Sequence, residues 1–311
     1  MLRRRIDSDM KTINVIRKDL NKTVFSIGFL SCVIVTTILC MTAVIHIEPS
    51  NAREFTVFEV LLKFDREFLL TDVNFSSIVV FTKALSNYFF MFAPIIAALP
   101  FISIYLTERN SGYIRMTIAR TGKFRYYFSK LVTAFIGGGL GIVIGLVIFG
   151  LLAAILFPSL SHFSAEDIEY GMHMNTNGRS IISNAFLSIG SPAIVVWPSI
   201  SVFLFGGMSA MTAYALSSFI RNKYLVLCIP FLIVYIHDSI KGKIVISSFH
   251  SGDGEIGTLG KLLSYSTTSN LLYIFHPFDD VLYTIIFSLA ALVTALILFT
   301  VFMNRRIDLG A

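Results

Sequence analysis

Leu131-Val-Thr-Ala-Phe-Ile-Gly-Gly-Gly-Leu-Gly-Ile-Val-Ile-Gly-Leu-Val-Ile-Phe-Gly-Leu-Leu-Ala-Ala-Ile-Leu-Phe157 runs for 27 residues without an Asp, Glu, Lys or Arg. About 20 apolar residues suffice for a helix to cross the hydrocarbon core of a bilayer. Working outward, five further charge-free apolar runs occupy residues 24–47, 84–107, 195–220, 224–236 and 281–303, and the 224–236 span is expected to run on through His237 and Asp238 to Ile240. The whole chain is 55% hydrophobic and 14% charged, with a mean hydropathy of +0.76. A water-soluble domain of 311 residues has no way to cover so much apolar surface. The expected fold is an all-α integral membrane protein with six transmembrane helices.

What the runs lack narrows the function. Ion-coupled carriers, proton pumps and intramembrane hydrolases need ionisable side chains at membrane depth, and these six runs hold no Asp, Glu, Lys or Arg. Uphill transport by this chain therefore requires energy from a partner. With the N-terminus placed in the cytoplasm, the inner segments 1–23, 108–130, 221–223 and 304–311 collect 17 of the 25 Lys and Arg but only five acids. Basic residues in short loops set orientation, so both termini are expected in the cytoplasm. That distribution also accounts for the +6 net charge without a nucleic-acid partner, for which no module is visible.

Residues 1–23 place Leu2, Ile6, Met10, Ile13, Ile16 and Leu20 at steps of three or four among basic residues. This pattern predicts an amphipathic N-terminal interfacial helix on the inner membrane surface; a solvated basic tail is the alternative. The span that follows is too long for the core of a cleavable signal. The transmembrane domain then covers 24–303, with extracellular segments 48–83, 158–194 and 241–280 and a cytoplasmic tail 304–311. In the first extracellular segment, Phe55, Phe58, Leu61, Leu62, Phe68 and Leu69 predict an external interfacial helix. Residues 180–220 read as one span with a partly embedded lead-in, since Gly190 and Pro192 interrupt them. The apolar stretch near 271–275 either stays outside or re-enters the bilayer.

The loop between spans two and three, residues 108–130, carries Arg109, Arg115, Arg120, Lys123, Arg125 and Lys130 beside Tyr113, Ile114, Met116 and Ile118. It predicts helical stretches on both sides of Thr121-Gly122. Charge alone makes it an ordinary positive-inside loop, while its apolar side chains suit docking into a groove on a soluble partner. In order of residues this loop resembles the one that follows the second span of ABC-2 type transporter permeases. There a Glu closes the span, a Gly follows, a basic-aromatic stretch comes next and a Lys opens the third span; Glu108, Gly112, Arg125 and Lys130 stand at those places. Where the family often has Pro before the basic stretch, this chain has Thr121-Gly122.

The resemblance implies the transmembrane subunit of an ABC exporter, in which 108–130 is the coupling loop. It also implies a cytoplasmic ABC ATPase subunit as partner, a second permease subunit completing a homo- or heterodimer, and a multi-pass place in a bacterial cell membrane. Mg-ATP would belong to the partner ATPase, with no cofactor in this chain. A phosphate-binding loop needs G-x-x-x-x-G-K-[ST]; Gly260-Lys261 is followed by Leu262 and has Glu255 at the first Gly position. The chain itself is not expected to be an enzyme. Its aromatic spans favour an amphipathic or apolar cargo such as a peptide, lipid or antibiotic. A passive channel or facilitator, and a non-transporting scaffold or sensor, remain as rival classes.

Gly137, Gly141 and Gly145 form a small-residue stripe on span three that permits close helix approach. Packing within the chain is favoured over a dimer contact, and Gly206, Ala210 and Ser217 offer a similar face on span four. Pro94, Pro100, Pro198 and Pro230 are candidate kink sites. Cys32, Cys40 and Cys228 lie inside spans and imply no disulfide framework. The six His show no metal-binding spacing, and His162, Glu166 and His173 read as a solvated loop. Asp279 and Asp280 read as boundary charges.

Overall fold

The computed structural model describes residues 2–48, 53–85, 89–164, 193–217, 220 and 222–250. Most of these are helical. A basic amphipathic helix, α1 (Leu2–Val24), is followed by an apolar one, α2 (Ile27–Met41), and the two meet at an angle of 56°. Ser26 makes the break: its hydroxyl donates to the Thr23 carbonyl (2.6 Å) and accepts from the Phe29 N–H (3.1 Å), so one side chain closes α1 and caps α2. The basic amphipathic helix and the first apolar helix are thus separate elements.

The apolar run 24–47 is not one helix, however. Its last part is strand β1 (Val44–Glu48), paired antiparallel with β2 (Arg53–Thr56). Val44, Ile45 and Ile47 are β-branched and favour a pleated, half-buried surface, and Ile45 is buried against the core while Ile47 is exposed. The expected single external helix is also broken. Two short helices, α3 (Val57–Lys63) and α4 (Arg66–Leu69), are separated at Phe64-Asp65, where both residues are extended. The fold is therefore mainly α rather than strictly all-α. Helix α3 starts with a reciprocal capping box between Thr56 and Glu59, and the Thr56 N–H bond holds the Glu59 carboxyl below its usual range.

Helix α5 (Ser77–Ala84) ends where span two is expected to begin, and α6 (Phe90–Asn110) covers most of that span and accommodates Pro94 and Pro100. Then come α7 (Tyr113–Thr121), α8 (Lys123–Leu156), α9 (Ala193–Ser217) and α10 (Lys223–His250). The fifth apolar run is thus the first half of a longer helix that continues ten residues past Ile240. Among the described residues, α6 and α8 are long and apolar enough to cross a membrane, and the bent α1–α2 pair makes a third if taken as one broken span. The expected sixth span at 281–303, the tail 304–311, the lead-in 180–192, Glu166, His173, the 271–275 stretch and Asp279–Asp280 lie outside the described residues.

Helix α8 is central, packing on α1, α2, α5, α6, α7 and α9. Its small residues explain how. A Cβ on Gly145 would lie 2.8 Å from the Val33 carbonyl oxygen of α2, and one on Gly138 would lie 2.7 Å from that of Ala97 on α6. Backbones touch there, and a methyl group has no room. The stripe Gly137, Gly141, Gly145 faces Thr23, Cys32 and Thr36 in turn, so it packs within the chain, as expected. Gly206 and Ala210 of α9 close on Gly138 from another side. Two buried clusters result. One gathers the hairpin, α3, α5 and the adjoining ends of α2, α6, α8 and α9; the other gathers Tyr105, Tyr126, Tyr127 and Tyr214 with Ile114 of α7 at the opposite end.

Candidate functional site

Gly112 and Gly122, both at positive φ (72° and 86°), bracket α7. An L side chain is strained in that region, so glycine lets the chain turn sharply out of α6 and again into α8. The helix ends at Thr121-Gly122, where the sequence places the break. Ile114 anchors one face of α7 in the tyrosine-rich core. The other face is open: Arg115 and Arg120 are exposed, as are Tyr113 at 45% and Met116 at 70%. Lys123 and Arg125 are half-buried on the first turn of α8.

The base of this projection is held by ions that cross between elements. Glu108, in the last turn of α6, accepts from Lys22 of α1 at 2.7 Å and lies 2.8 Å from the Lys130 ammonium of α8. Lys130 in turn donates to Asp19 of α1 at 3.0 Å, and Ser129 donates to the same carboxylate at 3.0 Å. The charges alternate along the chain Lys22–Glu108–Lys130–Asp19, and two of each sign leave it neutral. The Lys130 side chain is 3% exposed and that of Glu108 6%, so each depends on its partners to be tolerated as an ion. The Lys130 ammonium also sits over the Tyr126 ring, 5.5 Å from its centre. Beside it the Arg109 guanidinium donates to the Ser217 carbonyl at the end of α9, satisfying one of that helix's unpaired terminal acceptors.

The residues singled out from sequence thus divide. Glu108, Arg109 and Lys130 face inward and bind helices together. Gly112 shapes the turn; Arg115 and Arg120 point out, with Lys123 and Arg125 at the margin. Sequence reasoning missed Asp19, Lys22 and Ser129 here, and read Ser217 only as part of a small-residue packing face. The signal for Asp19 was available: it is the one carboxylate in the second half of α1, among Arg17, Lys18 and Lys22.

At the other end, Lys83 of α5 donates to the Ile45 carbonyl (2.9 Å) and the Asn74 side chain (3.1 Å). Burial lowers its pKa, against the attraction of Asp72. His46 is surrounded by Phe55, Phe64, Phe68 and Phe75 with ring centres 5.3–6.4 Å away, and His162 meets Ser159 at 3.0 Å. Among the described residues no three His, Cys, Asp or Glu side chains converge as metal ligands would. Comparison with protein-family models and with curated proteins returns no match for this sequence.

Proposed function

We propose that this chain is the membrane-spanning permease subunit of an ATP-driven exporter, with six spans, both termini in the cytoplasm and a separate ATPase subunit docking on α7. The observation that carries this reading is the contrast between the two sides of one short helix. Beneath its root, ions join α1, α6 and α8 to one another and Ile114 seats its inner face in the core, while its outer face offers arginines and bare apolar side chains to a partner. Such a lever passes a push on α7 directly into three helices. The cations Lys123 and Arg125 support it too, because the first turn of a helix disfavours positive charge and α8 has no acid there. The charge-free apolar runs add that the work must be supplied from outside the chain. The exported cargo would be amphipathic or apolar, passing between paired permease units.

The test is reconstitution with the ATPase subunit that co-purifies with this chain. Arg115→Glu with Arg120→Glu alters only exposed side chains, so the complex should fold while stimulation of ATP hydrolysis by the permease falls at least tenfold. Undiminished stimulation would overturn the docking assignment. Cargo flux through the purified chain alone, with no ATPase present, would instead make it a passive facilitator.

A further inference from the structure

Between the α1–α2 bend and α6 lies a groove of about 470 Å³, walled by Ile27, Gly28, Pro100 and Ile104 and ending at Lys22 and Ser111. Its floor is closed, since the Gly28 Cα and the Leu99 carbonyl are so near that a Cβ would come within 2.6 Å of that oxygen. It is a crevice on the surface and not a passage between helices. Around its mouth the surface changes character within a few residues. Arg17, Lys18 and Lys22 are exposed on α1, whereas Asp19 is turned inward to Lys130. Directly beyond them Phe25 (87%), Ile27 (85%) and Leu30 (59%) are bare. The one carboxylate on the groove wall, Glu108, is already matched by two lysines.

We infer that this groove holds an anionic phospholipid of the leaflet that faces α1, with its phosphate over the exposed Lys18, one turn before the Glu108-paired Lys22, and an acyl chain along Ile27, Pro100 and Ile104. Charge complementarity selects this occupant: cations stand where a headgroup would lie and bare hydrocarbon begins where the chain would start. The inference rests on the reading that α6 and α8 cross a bilayer, but it does not depend on the ATPase.

The experiment uses the full chain in phosphatidylcholine vesicles, with its single Trp197 replaced by Phe and the exposed Phe25 replaced by Trp as reporter. Ile27→Trp provides a second reporter should the first fail to insert. A minor share of dibrominated phosphatidylglycerol should quench the reporter with an association constant roughly fivefold above that of the same share of dibrominated phosphatidylcholine. The preference should vanish in Arg17→Gln/Lys18→Gln, which leaves the Lys22–Glu108 pair intact, and also in Ser103→Phe, which fills the groove and leaves the cations in place. Equal quenching by the two brominated lipids would overturn the inference while leaving the membrane reading intact. Relief of quenching by inorganic phosphate would move the specificity to a free anion and overturn it as well. Absence of quenching by either lipid would sink the membrane reading itself.

Discussion

Lys130 is the residue on which the α7 end depends. Among the described residues it alone touches both Asp19 and Glu108, so Lys130→Met would bury two carboxylates with one lysine left between them. The expected loss is about 3–5 kcal/mol, read as a lower unfolding midpoint in detergent. Asp19→Asn should cost less, about 1–3 kcal/mol, because Lys130 keeps Glu108. The reversed pair Asp19→Lys/Lys130→Asp tests whether charge or shape matters, and partial recovery relative to Lys130→Asp is the expected result. Lys83 makes a prediction in pH. Burial holds its folded pKa below the ordinary 10.5, so the buried ammonium carries its full cost at pH below that lowered value. As pH climbs from that lowered value toward 10.5, the folded protein gives up its proton before the unfolded one does, and stability rises. Melting temperature should therefore increase over that window relative to Lys83→Met, which has no such proton to lose. None of these contacts was legible in the sequence, which marked Glu108 and Lys130 only as the residues that close one span and open the next. Lys22 and Glu108 are 86 positions apart and Asp19 and Lys130 are 111 apart, and no local pattern reports a pairing at that distance.

Helices were the more readable scale. Charge-free runs locate α2, α6, α8, α9 and α10 because a long helix averages its hydropathy over many turns, and glycines mark the two ends of α7. What hydropathy could not separate was strand from helix inside one apolar run: Val44–Glu48 continues the hydrophobic signal of α2, and only its β-branched residues hint at a hairpin. Phe64-Asp65 similarly broke the external segment where the amphipathic spacing carried straight through. The glycine stripe was legible as close packing, and its partners now give it a graded test. Gly145→Ala meets the Val33 backbone and the Thr36 Cβ at 2.6–2.8 Å, whereas Gly137→Ala meets only the Thr23 side chain. Gly145→Ala should lower stability by about 1–3 kcal/mol and Gly137→Ala by less. The stripe is covered within the chain, so chemical unfolding should report the difference while the oligomeric distribution stays unchanged.

Across the molecule, α8 joins two cores of unlike make-up: a phenylalanine-rich one beneath the hairpin and a tyrosine-rich one beneath α7. The second is stitched with ions that link the beginning of the sequence to its middle. That geometry has a consequence for biosynthesis. A ribosome releases Asp19 long before it releases Lys130, so α1 lacks the Lys130 counter-ion while the first helices are being made. Nascent chains stopped before Lys130 should leave α1 open to protease, and chains long enough to bring Lys130 clear of the ribosome should protect it. The amino-terminal helix, made first, would be among the last parts of this bundle to find its seat.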